Sequence, residues 1–92
     1  MEFTWDEAKN RKNVAKHGVD FETARLVFND PLLLTEQDRE VDGEPRWQTI
    51  GLVKGTQLLL VAHLIFDLEE TIHIISARKA TPPERVKYAK NN

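Results

Sequence analysis

His63 is the residue whose surroundings most need a chemical explanation. It interrupts an apolar run, with Leu58-Leu59-Leu60-Val61-Ala62 before it and Leu64-Ile65-Phe66 after it. An imidazole in such a run is either a hydrogen-bonded core histidine or a general acid or base, because it titrates near neutral pH. His73 stands in a similar apolar stretch and reads as a core residue. His17 ends a helix, where a cation suits the dipole. Arg78-Lys79 lies where the last strand gives way to a helix. The guanidinium offers a planar fork of donors, suited to an ion pair with the acidic segment or to a phosphate. Tyr88 reads as packing or rim, and Trp5 and Trp47 as core rather than as platforms for stacked bases.

Other chemistries find no support. There is no cysteine, so disulfides, thiolate zinc sites and a cysteine nucleophile are excluded. No pair of residues has the HExxH spacing, and the three histidines are far apart in sequence, so no metal site is expected. GxGxxG, P-loop and GxSxG motifs are absent. The acidic residues of 36–44 lack the spacing of a calcium loop. No cofactor is expected.

The elements that must position these side chains follow from caps, periodicity and turn signals. Residues 2–5 suit a short strand. Asp6 can cap a helix over Glu7–His17, with Gly18 at the left-handed C-terminal position. Trp5, Ala8 and Ala15 suggest its apolar face. Asp20 can cap a second helix over residues 21–29, whose Phe21, Ala24, Val27 and Phe28 form a buried stripe, and Pro31 ends it. Residues 32–35 suit a short strand and 36–45 an acidic loop. Three antiparallel strands follow, over 46–53, 56–66 and 71–80, joined by Lys54-Gly55 and by a four-residue turn at 67–70. Thr81-Pro82-Pro83-Glu84 is a strong helix start, and the last helix spans Pro82–Lys90 with Val86 and Ala89 inward. The expected class is α+β: a small antiparallel sheet with two N-terminal helices and one C-terminal helix, in a single domain over residues 1–92.

A two-residue turn at Lys54-Gly55 sets Val53 opposite Thr56 and Arg46 opposite His63. The turn at 67–70 sets Phe66 opposite Thr71 and His63 opposite Ile74. One sheet face then carries Arg46, Gln48, His63, Ser76 and Arg78, and the other Trp47, His73 and Lys79. A bulge at Gly55 moves Arg46 to the other face.

The composition bounds the function. The 92 residues, 40% apolar and 30% charged, suit one globular domain with a thin core. No apolar run reaches the ~18 residues of a membrane span, and Met1-Glu2 does not open a secretory signal; the lack of cysteine fits a reducing cytosol, and a cytoplasmic location is expected. A net charge of −2 has the wrong sign for a strong nucleic-acid binder taken whole. The charge is segregated, however. Lys9, Arg11, Lys12 and Lys16 crowd the first helix, while Glu36, Asp38, Glu40, Asp42 and Glu44 crowd the middle of the chain. The two patches are either solvated faces or a phosphate-binding surface and an acidic one for a basic partner.

Both ends of the chain resemble one family. Phe3-Thr4-Trp5-Asp6-Glu7-Ala8-Lys9, then Asn13, Lys16-His17-Gly18, Phe21 and Ala24, is similar to the opening of BrnT proteins. Ile74-Ile75-Ser76-Ala77-Arg78-Lys79-Ala80, with Glu84-Arg85 and Tyr88, resembles their close, and Glu44, Arg46 and Gly51 fit between. The resemblance implies a RelE-like fold and a metal-independent ribonuclease toxin of a type II toxin–antitoxin pair. It implies a BrnA-type ribbon-helix-helix antitoxin as partner, with operator DNA reached only through that antitoxin. On this reading His63 is the acid or base, Arg46 and Arg78 clamp the phosphate, and Glu44 and Tyr88 assist by orientation or proton transfer. Lys9, Lys12, Lys16 and Lys79 hold the RNA backbone. Two other readings remain open: a non-catalytic antitoxin-binding module or corepressor, and a ParE-type toxin acting on DNA gyrase.

Overall fold

The computed structural model describes every residue except Asp67, Glu69 and Asn92. In chain order the elements are β1 (Glu2–Thr4), α1 (Glu7–His17), α2 (Phe21–Ala24) continued by a 3₁₀ turn (Arg25–Asn29), β2 (Leu34–Val41), β3 (Glu44–Val53), β4 (Gln57–Phe66), β5 (Thr71–Lys79) and α3 (Pro82–Lys90). The strands form one five-stranded sheet in the order β1-β5-β4-β3-β2. The sheet is mixed rather than antiparallel, because β1 pairs in parallel with β5, Glu2 to Thr71 through Thr4 to His73. A three-residue strand paired with one almost seventy residues away leaves no local trace in the sequence. The second N-terminal helix is likewise a single α-turn that tightens into the 3₁₀ turn. Among the described residues, no helix is long and apolar enough to cross a membrane.

The helix ends form as their sequences dictate. Asp6 accepts from the backbone N–H of Ala8 at 2.8 Å, and Gly18 closes α1 at φ 71°. Asp20 accepts from Thr23 N–H at 2.6 Å. Thr81 and Glu84 form a reciprocal capping box at the start of α3.

The middle of the chain departs from expectation. Residues 36–41 are not loop but most of β2, which turns back through Asp42 and Gly43 at φ 52° and 79°. Two successive positive φ values make a primed hairpin turn, whose twist matches that of its strands. Lys54 and Gly55 also have positive φ, 54° and 71°, but here Val53 pairs with Gln57 rather than Thr56. The register is therefore displaced by one residue, and Trp47, not Arg46, faces His63. Phe66 pairs with Thr71 and His63 with Ile74 as expected, although Asp67 and Glu69 of the connecting turn lie outside the described residues. A bulge between Ala62 and His63 then shifts the far half of the β4–β5 ladder, so that Arg78 pairs with Leu60.

Each sheet face has its own core. On one face α1, α2 and the 3₁₀ turn cover Val53, Leu59, Val61, Ile72, Ile74 and Ala77, with Phe21, Ala24 and Val27 packed down onto them. At Gly51 the 3₁₀ turn comes so close that an added Cβ would sit 2.7 Å from the Cβ and the carbonyl oxygen of Val27. The other face carries a smaller core of Ile50, Leu60, Ala80 and Tyr88, bordered by Leu34 and Leu58. Tyr88, rather than Val86 or Ala89, is the inward residue of α3; Val86 is 53% exposed.

Of the apolar face expected for α1, Trp5, just ahead of the helix, packs on the core, but Ala8 and Ala15 are exposed and the one buried residue of α1 is Asn13. Its amide bridges α1 to β5. Nδ2 donates to the carbonyls of Val19 and Ala77, each at 2.8 Å, and Oδ1 accepts from Ala77 N–H at 3.1 Å. The side chain thus supplies β5 with the hydrogen bonds of a neighbouring strand, at a point β1 does not reach.

Candidate active site

His63 is fully buried on the helix-covered face. Its Nδ1 lies 3.3 Å from the Leu64 carbonyl, which can only accept, so Nδ1 carries the proton. Nε2 is then free to accept from the Thr49 hydroxyl at 2.8 Å, and Thr49 in turn lies 2.8 Å from the hydroxyl of Thr35. The Phe28 ring meets the imidazole edge-on, with centroids 5.0 Å apart. Burial pushes the imidazole pKa down to about 4, against the weaker opposing pull of the Leu64 carbonyl. His63 is therefore neutral at pH 7; it has no exposed surface of its own and lies at the bottom of a part-open, mainly apolar hollow that Phe28, Leu33, Thr35, Ile65 and Ile72 also line.

The cations expected beside it lie elsewhere. Alternation along β3 puts Thr49, Gly51 and Val53 on the helix-covered face, and Glu44, Arg46 and Gln48 on the face shared with Ile50 and α3. Arg78, opposite Leu60, and Ser76, opposite Ala62, lie on this second face too. The expected grouping of His63 with Arg46, Gln48, Ser76 and Arg78 is thus overturned by the one-residue shift at Lys54-Gly55 and the bulge at Ala62. Trp47 and Lys79 change faces for the same reasons, and share the helix-covered side with His63. His73 stays opposite to His63, on the face of Arg46, where it is half-buried and fixed by a 2.8 Å contact between Nδ1 and the Thr4 hydroxyl. A core role was expected for His73; its place on the open face is a site feature that only the register reveals.

The structure brings Glu44 and Arg46 together, two residues apart on one strand face. Arg78 is on the same face but two strands across and four pairs along, roughly 10 Å by 13 Å at ordinary sheet spacings. Arg46 is half-buried, and its Nε is shielded from solvent with no hydrogen-bond partner among the described residues. Arg78 is fully engaged: its two terminal nitrogens donate to the Glu84 carboxylate at 2.7 and 2.9 Å. That pairing, with help from Thr81 N–H, holds the Glu84 carboxyl at about 2 and raises the Arg78 guanidinium further. The ion pair foreseen with the acidic segment is made instead with the helix start next to it.

Tyr88 donates its hydroxyl to Asp30 at 2.5 Å, and this contact pushes the phenol up to about 12. Asp30 also accepts from the backbone N–H groups of Leu32 and Leu52. Lys87 reaches Glu36 of β2 at 2.5 Å. These contacts moor α3 over Ile50 and Leu60, and leave Arg46, Gln48, Ala62 and Ser76 half-exposed beyond it. Asp30 and Glu84, whose capping and anchoring roles give no sign of chemistry in the sequence, thus set the boundary of the open face.

Lys9, Lys12, Lys16 and His17 line a surface groove between α1 and β5, floored by Ile75 and Ser76. Lys79 is exposed at the far end of β5, outside this groove. Among the described residues, no cluster of three or more histidine or acidic side chains could hold a metal ion.

The domain is thus a small α+β unit with a mixed five-stranded sheet, an open face that carries Arg46, and a lysine-lined groove. The fold superposes on the 1.1 Å crystal structure of the Brucella abortus ribonuclease toxin BrnT with a TM-score of 0.64, at 26% identity, covering 88% of this chain and 97% of that one. The chain belongs to the BrnT family: the family described as the ribonuclease toxin, BrnT, of type II toxin–antitoxin systems matches residues 5–84. A comparison with curated proteins finds no match. Membership in a type II toxin–antitoxin family implies a cognate antitoxin as partner.

Proposed function

We propose that this protein is a metal-independent endoribonuclease of RelE-like type, acting in the cytoplasm on RNA and neutralised by a BrnA-type ribbon-helix-helix antitoxin through which alone it reaches operator DNA. The reading is carried by Arg46, a half-buried cation on the open sheet face whose Nε has no partner among the described residues. Nε itself is shielded, so it is the rest of the half-exposed guanidinium, which has no ion pair among the described residues, that can meet a phosphate on this face.

In this reaction the ribose 2′-oxygen attacks the adjacent phosphorus. The O2′–P bond forms, the P–O5′ bond breaks, and the products are a 2′,3′-cyclic phosphate and a 5′-hydroxyl. Glu44, beside Arg46 on the same strand face, takes the 2′-hydroxyl proton, and solvent on this face returns one to O5′. Arg46 stabilises the charge that builds on the phosphorane-like oxygens, while Arg78, paired with Glu84 two strands away, holds the start of α3. Lys9, Lys12, Lys16 and Lys79 attract the backbone. Tyr88 serves by anchoring α3 to Asp30. His63, neutral and buried behind the sheet, supports Thr49 and the strand that bears Arg46 rather than touching RNA.

The test is incubation of the purified protein with RNA in excess EDTA. Cleavage leaving 5′-hydroxyl ends, lost in a folded Arg46→Ala variant, supports the proposal. A requirement for divalent metal overturns it. Intact RNA with full antitoxin binding favours the module, and arrested supercoiling with intact RNA favours a gyrase-directed toxin.

A further inference from the structure

The open face and the lysine groove lie on different sides of the sheet but meet at one place. Lys9, Lys12 and Lys16 recur at intervals of three and four residues, so they share one side of α1 and span roughly 10 Å of its axis. None of the three makes an ion pair among the described residues; Glu36, Asp38, Glu40, Asp42 and Glu44 cluster at the opposite edge of the sheet, while Glu2, Asp6 and Glu7 lie on β1 and at the N-terminal end of α1. The groove runs from these lysines and His17 to Ile75 and Ser76 of β5. β1 covers β5 only as far as His73, so the groove reaches this edge beyond the end of β1. Ser76 pairs with Ala62, and Ala62 with Gln48, on the face that carries Arg46. From Ser76 to Gln48 is two strand spacings, roughly 10 Å.

We propose that this groove is a track for single-stranded RNA, which runs along the lysine side of α1, turns over the β5 edge at Ile75 and Ser76, and delivers the strand to the face of Arg46. The inference rests on the ribonuclease reading and specifies its substrate class. The selectivity for single strands follows from the turn. Passing from the helix-covered side to the opposite face means bending sharply over one strand edge. A flexible single strand makes that bend, and a stiff double helix does not. Spread over roughly 10 Å, the three lysines can each meet a phosphate of one strand. Ile75, half-exposed at the rim, offers an apolar contact to an unstacked base, and Ser76 a hydrogen bond. Local clustering also lets a chain of net charge −2 meet a polyanion: RNA approaches along Lys9, Lys12 and Lys16, away from the acidic cluster of β2 and its turn.

The probe is a short 2′-O-methylated RNA, which lacks the attacking hydroxyl and stays intact, used as a single strand and as a duplex. Binding is measured by fluorescence anisotropy across a salt series. The single strand is expected to bind at least tenfold more tightly than the duplex. Combined Lys9→Gln, Lys12→Gln and Lys16→Gln substitutions, all at exposed positions, weaken single-strand binding at least tenfold. They also reduce the slope of log K against log salt by about 2, for three lost contacts at ~0.7 each. Lys54→Gln, on the β3–β4 turn, changes neither. Wild-type binding by the triple variant, or equal binding of the duplex, overturns the track. So does a triple variant that keeps RNA binding but loses neutralisation by the antitoxin, since the stripe is then a protein interface. The two readings fail separately. If the wild type cleaves RNA in EDTA while the triple variant binds normally, the track alone is wrong. If RNA stays intact while the triple variant loses binding, the ribonuclease reading alone is wrong.

Discussion

Trp47, not Arg46, stands opposite His63 across β3 and β4. That single step of register decides which side chains share an environment. It puts the only buried histidine behind the sheet with Thr49 and Phe28, and puts Arg46 on the face where Glu44, Gln48, Ser76 and His73 also lie. The two residues with the strongest chemical signature in the sequence therefore act apart. One is a neutral element of the core, and the other is a half-buried cation on the open face.

The buried histidine makes stability depend on mild acid. Its folded pKa, about 4, lies below the 6.5 of an unperturbed imidazole. Between those values the unfolded chain takes up a proton that the folded one refuses. Stability is therefore full above pH 6.5 and falls as pH drops toward 4, by about 1.4 kcal/mol per unit and roughly 3 kcal/mol in all. Urea denaturation of wild type and His63→Gln from pH 7.5 to 4 reads this directly. The wild type loses stability steeply over the window, and the variant, with no proton to exclude, less so. Parallel curves would show that His63 is not the group responsible.

Gly51→Ala tests the close approach of the 3₁₀ turn to the sheet. The new methyl meets backbone atoms of Val27 at 2.7 and 2.9 Å, which cannot swing aside like a side-chain tip. A cost of about 1–3 kcal/mol follows from overpacking, or a fall in Tm of several degrees to about 20 °C for a domain of this size. Calorimetry giving an unchanged Tm contradicts this packing.

Much of the scaffold was legible because its signals are local. Asp6 and Gly18 mark both ends of α1, Thr81 through Glu84 mark the start of α3, and the unbroken apolar run around Val61 marks β4 as the middle strand of the sheet. The misread parts depend on signals that compete or act at a distance. Asp42-Gly43 is a hairpin turn pair, but the surrounding acidic residues suggest loop, and β2 tolerates them because it is an exposed edge strand. The family resemblance pointed to Arg46, but not to its face, because period-two alternation turns one extra turn residue at Lys54-Gly55 into a complete exchange of sides. Asn13 was visible as part of a motif, yet its purpose became clear only once β5 lay beside it.

Asn13 carries the most concentrated hydrogen bonding between α1 and the sheet. Asn13→Asp keeps the size and replaces the donor with a carboxylate facing the carbonyls of Val19 and Ala77. Asn13→Ala leaves those carbonyls and Ala77 N–H short of partners. Each change is expected to cost about 2–4 kcal/mol, with Asp at least as damaging as Ala at pH 7. Chemical denaturation provides the check, and a loss below 1 kcal/mol for both variants contradicts the bridging role.

Glu84 ties the end of β5 to α3 twice, through Arg78 and through Thr81 N–H. Its carboxyl is held at about 2, against 4.5 for an unperturbed one. This tie is intact above pH 4.5 and is lost as pH falls toward 2, a window below that of His63. Glu84→Ala should cost about 1–3 kcal/mol at neutral pH and expose the amides of α3 to faster hydrogen exchange than those of β4. Unchanged exchange in α3 contradicts the anchoring role.

The most direct measurement compares RNA cleavage by Arg46→Ala and His63→Gln, each verified as folded, in excess EDTA at pH 7. Catalysis on the open sheet face predicts a loss in kcat/KM of a hundredfold or more for Arg46→Ala, and less than tenfold for His63→Gln. The reverse order, with cleavage surviving without Arg46 and vanishing without His63, contradicts the account.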